Sequence, residues 1–309
     1  MATAVDAGGR RVTLAGGREL AYDRLLLAPG AVPRRPPIPG AADALTLRSV
    51  ADADAIRAVI DGGGRLALIG AGWIGCEVTA TARGLGAEVT LIERASSPLE
   101  AVLGAELGAF FGRLHRAHGV ELLTGAEVAA IGPGGVELAD GRTVAADAVV
   151  LGVGVAPDVA LAEAAGLATD DGIAADALLR TSAPDIFVAG DAAAAEHPRY
   201  GRRVRTEHWD NAIAQGEAAA RSMLGRGEPY AKLPYFFSDQ YDLGLEYVGL
   251  HAPGDELVLR GSLEAAHFQA FWLAADGSVT AGMHVNDWDA IDGIRALVEE
   301  GGQLPAAAA

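Results

Sequence analysis

A glycine-rich turn between two secondary-structure elements constrains the fold of this chain more than any other feature. Leu66–Ile69 is an uninterrupted apolar run, and Gly70, Gly72 and Gly75 follow it in the spacing Gly-x-Gly-x-x-Gly. The run predicts a buried strand, and the residues through Ala87 predict a helix that the turn opens. The first glycine allows a tight turn, the second lets backbone approach a pyrophosphate, and the third lets helix and strand pack closely. The turn therefore predicts a dinucleotide-binding Rossmann unit rather than an ordinary strand–helix connection.

Residues around this turn supply the remaining parts of a nucleotide site. The helix N-terminus, at Trp73 and Ile74, offers free N–H groups and a positive dipole end to phosphates. The next strand, Val89–Ile92, ends in Glu93, whose carboxylate would accept hydrogen bonds from ribose hydroxyls and repel a 2′-phosphate. We therefore expect NADH rather than NADPH, although the neighbouring Arg94 works against this preference. The alternative for Glu93 is a solvated acid at a strand end.

Composition and charge narrow the class of protein. The 309 residues are 50% hydrophobic, which is enough for a sizeable core in two or three domains. The net charge of −17 argues against nucleic acid or an anionic membrane as a partner. Cys76 is the only cysteine, which excludes an internal disulfide and favours a reducing compartment. No secretory signal or membrane span is visible, so we expect a soluble, cytoplasmic protein.

The pattern of predicted elements changes near Pro229. Before that residue, short β-runs and helices alternate, and after it short β-runs dominate, with one final helix. The predicted helices are Val50–Ile60, Gly104–His118, Trp209–Leu224 and Ala290–Glu299. The change predicts a separate small α+β domain at the C-terminus, and the tail Ala306–Ala309 is expected to fray.

Six segments spread along the chain carry a family resemblance. They are Tyr22–Gly30, Gly70–Glu77, Gly152–Pro157, Asp185–Asp191, His208–Gln215 and Pro234–Tyr241. Together they resemble the FAD-dependent, NADH-using ferredoxin reductases of bacterial oxygenase systems, within the wider group of flavoproteins with two dinucleotide folds. The resemblance implies an α/β protein with two Rossmann-like dinucleotide-binding domains and a small C-terminal α+β domain. It also implies FAD and NAD as cofactors and a [2Fe–2S] ferredoxin as partner.

The same resemblance divides the chain into four segments. Residues 1–57 are predicted to be the first part of the FAD-binding domain, and 181–227 its return segment. Residues 58–180 are predicted to form the NAD-binding Rossmann domain, and 228–309 the C-terminal reductase domain. By the family pattern, roughly 90 residues with their own glycine turn would precede Met1, a substantial fraction of a domain. We therefore expect the FAD-binding domain to be incomplete at its N-terminus, and activity to depend on that segment.

The resemblance assigns FAD-binding roles to two turns. Ala28 and Gly30 lie where the family usually has Ala-Thr-Gly, and Pro29 between them removes a hydroxyl and a backbone N–H. Gly190 and Asp191 are similar to the second FAD motif of the family, whose aspartate hydrogen-bonds the ribityl chain. An ordinary turn is the alternative for Asp191.

Further residues are expected at the flavin and nicotinamide rings. The resemblance places His208 and Trp209 against the flavin, where a helix N-terminus can stabilise negative charge on the reduced ring. It places Glu77 near the nicotinamide carboxamide, although an acid in a first helical turn also has a purely electrostatic explanation. Gly152 and Gly154 are expected to flank the nicotinamide half, with a plain connection as the alternative. No catalytic side chain is required, because the cofactors carry the chemistry.

A basic loop suggests where an electron acceptor docks. Arg199, Arg202, Arg203 and Arg205 lie close together in a strongly acidic chain. Because ferredoxins are typically acidic, this loop is a candidate docking patch that steers association. The alternative is a solvated loop.

Two other functions stay open on sequence alone. A disulfide reductase of the same superfamily can carry its redox cysteines in the segment expected before Met1, although Pro234–Tyr241 argues against this function. A truncated, non-catalytic nucleotide-binding protein is the second. The single cysteine excludes a Cys-x-x-Cys motif within this sequence, and no Cys/His spacing predicts a metal site. Oligomeric state cannot be predicted from the sequence.

Overall fold

The N-terminal part of the chain forms short strands and one helix. The computed structural model describes residues 1–305. The predicted fraying of Ala306–Ala309 lies outside the described residues. The elements are β1 (Ala2–Asp6), β2 (Arg11–Leu14), β3 (Glu19–Ala21), β4 (Leu25–Leu27), β5 (Ala31–Pro33) and α1 (Val50–Asp61). The first three strands form an antiparallel sheet, whereas β4 and β5 pair with distant parts of the chain. Ser49 and Asp52 form a capping box that fixes the start of α1.

The next segment forms a parallel sheet with helices and an antiparallel meander beside it. Its elements are β6 (Leu66–Ile69), α2 (Trp73–Gly84), β7 (Val89–Ile92), α3 (Glu100–Leu103), α4 (Ala105–Ala117), β8 (Glu121–Leu123), β9 (Val128–Gly132), β10 (Gly135–Leu138), β11 (Thr143–Ala145) and β12 (Ala148–Leu151). The parallel strands have the order β12-β6-β7-β8, and every residue of β6 and β7 is buried. The Rossmann unit predicted from the glycine turn is confirmed, because β6, α2 and β7 follow each other and the two strands pair in parallel. Strands buried along their whole length are typical of a parallel sheet that is covered on both faces.

After β12 the chain returns to its N-terminal part. The elements are β13 (Val155–Pro157), α5 (Ala160–Ala164), β14 (Ile173–Ala175), β15 (Ile186–Val188), a 3₁₀ turn (Gly190–Ala192), β16 (Ala193–His197), β17 (Arg202–Val204) and α6 (Trp209–Met223). β13 pairs antiparallel with β5, and β15 pairs parallel with β4. Ala162 and Ile173 share a buried core with Leu27 and Ile186. Packing thus joins residues 155–175 to this second core, although the sequence grouped them with residues 58–180.

The C-terminal part is an antiparallel sheet with one helix. It contains β18 (Tyr235–Gln240), β19 (Leu243–Gly249), β20 (Glu256–Ser262), β21 (His267–Leu273), β22 (Val279–Val285) and α7 (Ile291–Glu300). The strand order is β18-β19-β22-β21-β20. One face of this sheet packs against the helices of the parallel sheet, where the ring centroids of Phe268 and Phe110 are 5.2 Å apart. The other face packs against Ile294 and Val298 of α7. The predicted C-terminal α+β domain is confirmed. Within residues 1–305, no helix has the length and apolar character needed to cross a membrane.

Candidate functional site

The glycine turn before α2 is closely packed on two sides and open on a third. A Cβ atom on Gly70 would lie 2.6 Å from the Gly152 carbonyl oxygen, and one on Gly75 would lie 1.9 Å from the Gly70 carbonyl oxygen. A Cβ atom on Gly72 would meet nothing closer than 3.9 Å, and one on Gly154 nothing within 4 Å. Gly72 caps α2 without a side-chain hydrogen bond. Packing therefore explains Gly70 and Gly75, whereas Gly72 faces space beside N–H groups that suit a phosphate.

Glu93 ties the end of β7 to the glycine turn. Its Oε2 accepts a hydrogen bond from the Ala71 N–H at 2.6 Å, and its Oε1 accepts one from the Ala95 N–H at 2.7 Å. The carboxylate is therefore held beside the turn instead of being solvated at a strand end. Each carboxylate oxygen has a second lone pair, so Glu93 can still accept a hydrogen bond from a ribose hydroxyl.

The first turns of α2 carry Trp73 and Glu77 towards the C-terminal sheet. The Trp73 ring lies 4.6 Å from that of Phe236 in β18. The half-buried Glu77 accepts a hydrogen bond from the Ser238 hydroxyl, with 2.6 Å between Oγ and Oε1. Burial raises the pKa of Glu77 above its usual value; the Ser238 hydrogen bond opposes this shift, and the Asp239 carboxylate adds to it. The acid predicted beside a nicotinamide is thus held by a residue of another domain.

The two predicted FAD turns lie side by side at the carboxyl ends of the parallel strands β4 and β15. These turns are Ala28–Gly30 and Gly190–Asp191. Arg48 Nη2 lies 3.4 Å from Asp191 Oδ2, and the Gly190 N–H donates to the buried Gln215 Oε1 at 2.8 Å. Ligands of open α/β sheets bind at this end of the strands. An acid, a cation and open backbone together fit the polar ribityl and pyrophosphate part of FAD.

His208 caps helix α6 between the two FAD turns and the C-terminal sheet. Its Nδ1 accepts a hydrogen bond from the Asp210 N–H at 3.2 Å, so a neutral ring carries its proton on Nε2. Burial lowers the pKa of His208, while the Asp210 carboxylate opposes this shift. The ring stands perpendicular to Phe237, with 5.5 Å between centroids. The adjacent Trp209 is 59% exposed, which is unusual for an indole and leaves its face available to a ring system.

One cleft of about 1230 Å³ joins the two halves of the site. Its lining includes Trp73, Ile74 and Glu77 from α2, and His208 and Trp209 at the start of α6. The structure thus brings five predicted residues together, with aromatic rings of β18 beside them. The other predicted residues do not line this cleft; these are Ala28, Gly30, Gly70, Gly72, Gly75, Glu93, Gly152, Gly154, Gly190 and Asp191.

The basic loop is less free than its sequence indicates. Arg199 donates to two main-chain carbonyls at the end of α7. Arg203 and the largely buried Arg205 each lie within 4 Å of two carboxylates. Within residues 1–305, Arg199 and Arg202 are both exposed and have no carboxylate within that distance, but the two carbonyls hold the Arg199 guanidinium in place. Among the four cations of the predicted patch, Arg202 is therefore the least engaged, because carbonyl oxygens hold Arg199 and carboxylates pair with Arg203 and Arg205.

Sequence reasoning missed three side chains that organise the site. Arg48 lies just before a helix with nothing in its sequence to link it to Asp191, so only the fold reveals it. Gln215 was part of a recognised segment without an assigned role. Ser238 alternates with Phe237 in a strand, and this period of two could have placed it on the face that meets α2.

Comparison with known proteins identifies the family. Residues 1–216 match the model of the pyridine nucleotide-disulphide oxidoreductases, and residues 235–309 match the C-terminal domain of reductases. The ferredoxin--NAD(+) reductase component of the anthranilate 1,2-dioxygenase system of Burkholderia cepacia is 41% identical over 304 residues, covering 96% of this chain and 75% of that protein. Putidaredoxin reductase of Pseudomonas putida is 38% identical over 293 residues, covering 89% of this chain and 68% of that protein.

Solved structures agree with these relatives. The ferredoxin reductase of Rhodopseudomonas palustris superposes with a TM-score of 0.93 at 36% identity, covering 98% of this chain and 76% of that one. The reductase in a covalent putidaredoxin reductase–putidaredoxin complex gives a TM-score of 0.91 at 36% identity, covering 97% and 75%. The resemblance stated from six sequence segments is confirmed. The chain belongs to the pyridine nucleotide-disulphide oxidoreductase family, in its branch of FAD- and NAD(H)-dependent ferredoxin reductases.

Proposed function

We propose that this protein takes electrons from NADH through FAD and delivers them singly to a small [2Fe–2S] ferredoxin that serves an oxygenase. One observation carries the proposal: Glu77 and Trp73 of the nucleotide side share a cleft with His208 and Trp209 of the flavin side. Hydride transfer requires two rings held in contact, and a single cleft between two nucleotide sites provides that geometry. When bound, FAD supplies the step between a two-electron donor and a one-electron acceptor. The reductases named above support this assignment.

The nucleotide side binds and orients NADH. The open face of Gly72 and the unpaired N–H groups of the first turn of α2 receive the pyrophosphate. Glu93, held beside the turn by two backbone N–H groups, accepts from the ribose hydroxyls and disfavours a 2′-phosphate. Glu77 accepts a hydrogen bond from the nicotinamide carboxamide and so fixes which face of the ring meets the flavin. Gly152 and Gly154 contribute by keeping this end of the sheet free of side chains.

The flavin side holds FAD and compensates charge. Asp191 would accept hydrogen bonds from the ribityl hydroxyls, and Arg48 beside it would neutralise phosphate charge. Ala28–Gly30 and Gly190 let main chain approach the cofactor. His208 Nε2–H and the N-terminus of α6 would stabilise negative charge on a reduced ring. The exposed Trp209 would cover the ring and limit the access of water.

The ferredoxin approaches near the same cleft. Arg202 lines the cleft and supplies a cation that an acidic surface can approach, while Arg199, Arg203 and Arg205 chiefly stabilise the loop. Long-range attraction of this kind raises the rate of association more than the affinity. An enzyme that draws on the NADH pool acts in the cytoplasm, and we propose that location.

A disulfide reductase finds no support in the described site. Cys76, the only cysteine of the sequence, is fully buried, and burial raises the pKa of its thiol. Its Sγ, in the first turn of α2, lies 3.5 Å from the carbonyl oxygen of Ala71 in the preceding glycine turn. A buried thiol with a raised pKa is a poor nucleophile, so Cys76 is a packing residue.

The test is an absorption spectrum of the purified 309-residue protein with added FAD, before and after NADH under anaerobic conditions. Stoichiometric flavin retained after gel filtration, and bleached by NADH, is the expected result. An acidic [2Fe–2S] ferredoxin added next should be reduced with a stoichiometry of two per NADH, since each accepts one electron.

Two other results would contradict the proposal. Binding of NADH without retained flavin would assign the chain to the non-catalytic nucleotide-binding alternative. Retained flavin that NADH does not bleach would remove the nicotinamide assignment of the α2 turn. NADPH at the same concentration is the matched control for Glu93, and it should bleach the flavin far more slowly.

A further inference from the structure

A short chain of buried hydrogen bonds leads from the C-terminal sheet to Glu77. Ser238 and Gln240 are alternate residues of β18, so their side chains lie on the same face of the sheet. Ser238 is 1% exposed and Gln240 is fully buried. The Gln240 Nε2 donates to Ser238 Oγ at 3.3 Å, and Ser238 Oγ donates to Glu77 Oε1 at 2.6 Å. Only Glu77, at the end of this chain, lines the cleft.

The hydrogen bonds have a defined direction. A serine hydroxyl has one proton, and an amide nitrogen can only donate. Because Gln240 donates to Ser238, the hydroxyl proton of Ser238 is available for Glu77, which must accept it. Oε1 of Glu77 therefore accepts one hydrogen bond from the protein, whereas Oε2 has no protein hydrogen-bond partner within residues 1–305. One rotamer of the carboxylate is selected, and its second oxygen remains available to a ligand in the cleft.

We propose that Ser238, oriented by Gln240, is a positioning residue that turns Oε2 of Glu77 towards the carboxamide N–H of the nicotinamide. The C-terminal domain thereby sets how well the nicotinamide end of the nucleotide is held. This inference rests on the proposed nicotinamide role of Glu77, and it adds two residues to which nothing else assigns a part in binding.

The Ser238 hydroxyl also favours the ionised form of Glu77. An ionised carboxylate only accepts hydrogen bonds, whereas a protonated one turns one oxygen into a donor, and burial favours the protonated form of Glu77. The Ser238 hydroxyl opposes this effect, and the Asp239 carboxylate adds to it. Without the hydroxyl, Glu77 would lose both its orientation and part of its preference for the charged form.

The test compares two ligands that differ only at the nicotinamide. NAD⁺ and ADP-ribose share the adenosine, the pyrophosphate and the second ribose, so the ratio of their Kd values isolates the nicotinamide end. Calorimetric titrations are made on the full 309-residue protein with saturating oxidised FAD, for wild type, S238A, E77Q and the double variant. S238A should weaken NAD⁺ binding about tenfold and leave ADP-ribose binding unchanged, since it removes a hydrogen bond to a charged group.

Each outcome bears on one proposal. In the E77Q background, S238A should have little further effect on NAD⁺, because the two side chains act as one unit. The positioning role would be overturned if S238A left the ratio of the NAD⁺ and ADP-ribose Kd values unchanged. It would also be overturned if S238A weakened NAD⁺ binding equally in the wild-type and E77Q backgrounds. Equal loss of both ligands in S238A would mark Ser238 as merely structural and also overturn it. If the wild type binds neither ligand, the proposed nucleotide site itself fails, which is a separate result.

Discussion

The nucleotide side and the flavin side of this molecule are built in opposite ways. Most of the nucleotide side comes from one continuous stretch, in which β6, the glycine turn, α2 and β7 follow each other. The strands β6 and β7 are neighbours in a four-stranded parallel sheet. The flavin side is assembled from segments far apart in sequence, and its strands β4 and β15 form a sheet of only two. Its key contact joins Arg48 to Asp191 across the chain.

This difference separates two kinds of constraint. On the nucleotide side, main-chain packing fixes the site, because Gly70 and Gly75 approach carbonyl oxygens too closely for any side chain. On the flavin side, individual polar side chains hold the turns in place, as Gln215 does for Gly190. We therefore expect substitutions to act on folding in the first region and on cofactor affinity in the second.

Two alanine substitutions in the glycine turn should give the largest contrast. G75A places a Cβ atom 1.9 Å from a carbonyl oxygen, so it should lower the free energy of unfolding by about 3 kcal/mol or more. G72A meets no atom closer than 3.9 Å, so it should fold normally yet lose affinity for ADP-ribose. Urea unfolding and ligand titration measure the two effects. Equal stability of the two variants would break the argument that packing fixes this turn.

Acid should destabilise the nucleotide side through His115 of α4. Burial lowers the pKa of His115 from 6.5 to about 4, so the folded state binds fewer protons than the unfolded state between these values. Its contribution to stability is complete above pH 6.5 and is lost as the pH falls towards 4. Between pH 7.5 and pH 5 this loss should be about 2 kcal/mol.

The variant H115Q isolates this effect from other titrating groups. Its unfolding free energy should fall less than that of the wild type between pH 7.5 and pH 5, and the exposed H267Q should behave as the wild type does. Urea unfolding at both values measures the difference. The same pH dependence in H115Q as in the wild type would show that another group carries it.

The same contrast explains what the sequence could and could not predict. The Rossmann unit, the C-terminal α+β domain and Glu93 beside the turn follow from local patterns, because strand, turn and helix are contiguous there. The pairing of Arg48 with Asp191 depends on how two distant segments meet, and no local pattern encodes it. The ion pairs of the basic loop could not be predicted for a related reason: Asp170 and Asp171 lie beside Arg203 and Arg205 in space but not in sequence.

Removal of the Arg48 guanidinium should lower the affinity for FAD without changing the affinity for the nicotinamide nucleotide. R48A removes the cation beside Asp191 that we propose to neutralise the phosphate charge of FAD. It should lower FAD affinity about tenfold, the effect expected when one hydrogen bond to a charged group is lost. R57A is the matched control, because Arg57 lies in α1 and pairs with Asp61 at the surface. Flavin fluorescence titration gives the affinity. ADP-ribose affinity should be equal in both variants, and a shared loss would contradict the independence of the two sides.

The smallest effect should come from Arg202, because it steers a partner without holding either cofactor. R202A should lower the rate of ferredoxin reduction about two- to fivefold at low salt and have little effect near 1 M salt, where charges a few ångströms apart are screened. R18A removes the same charge from the turn between β2 and β3, so it controls for net charge. Stopped-flow traces at limiting ferredoxin measure the association step.

The salt dependence decides between a docking cation and a solvated one. A docking cation makes the two variants differ at low salt and converge at high salt, because its contribution acts over distance. If R18A and R202A behave alike at every salt concentration, only net charge matters and the docking assignment fails. A loss in R202A that persists at high salt would instead indicate a direct contact, which would extend the flavin side of the site to the rim of the cleft.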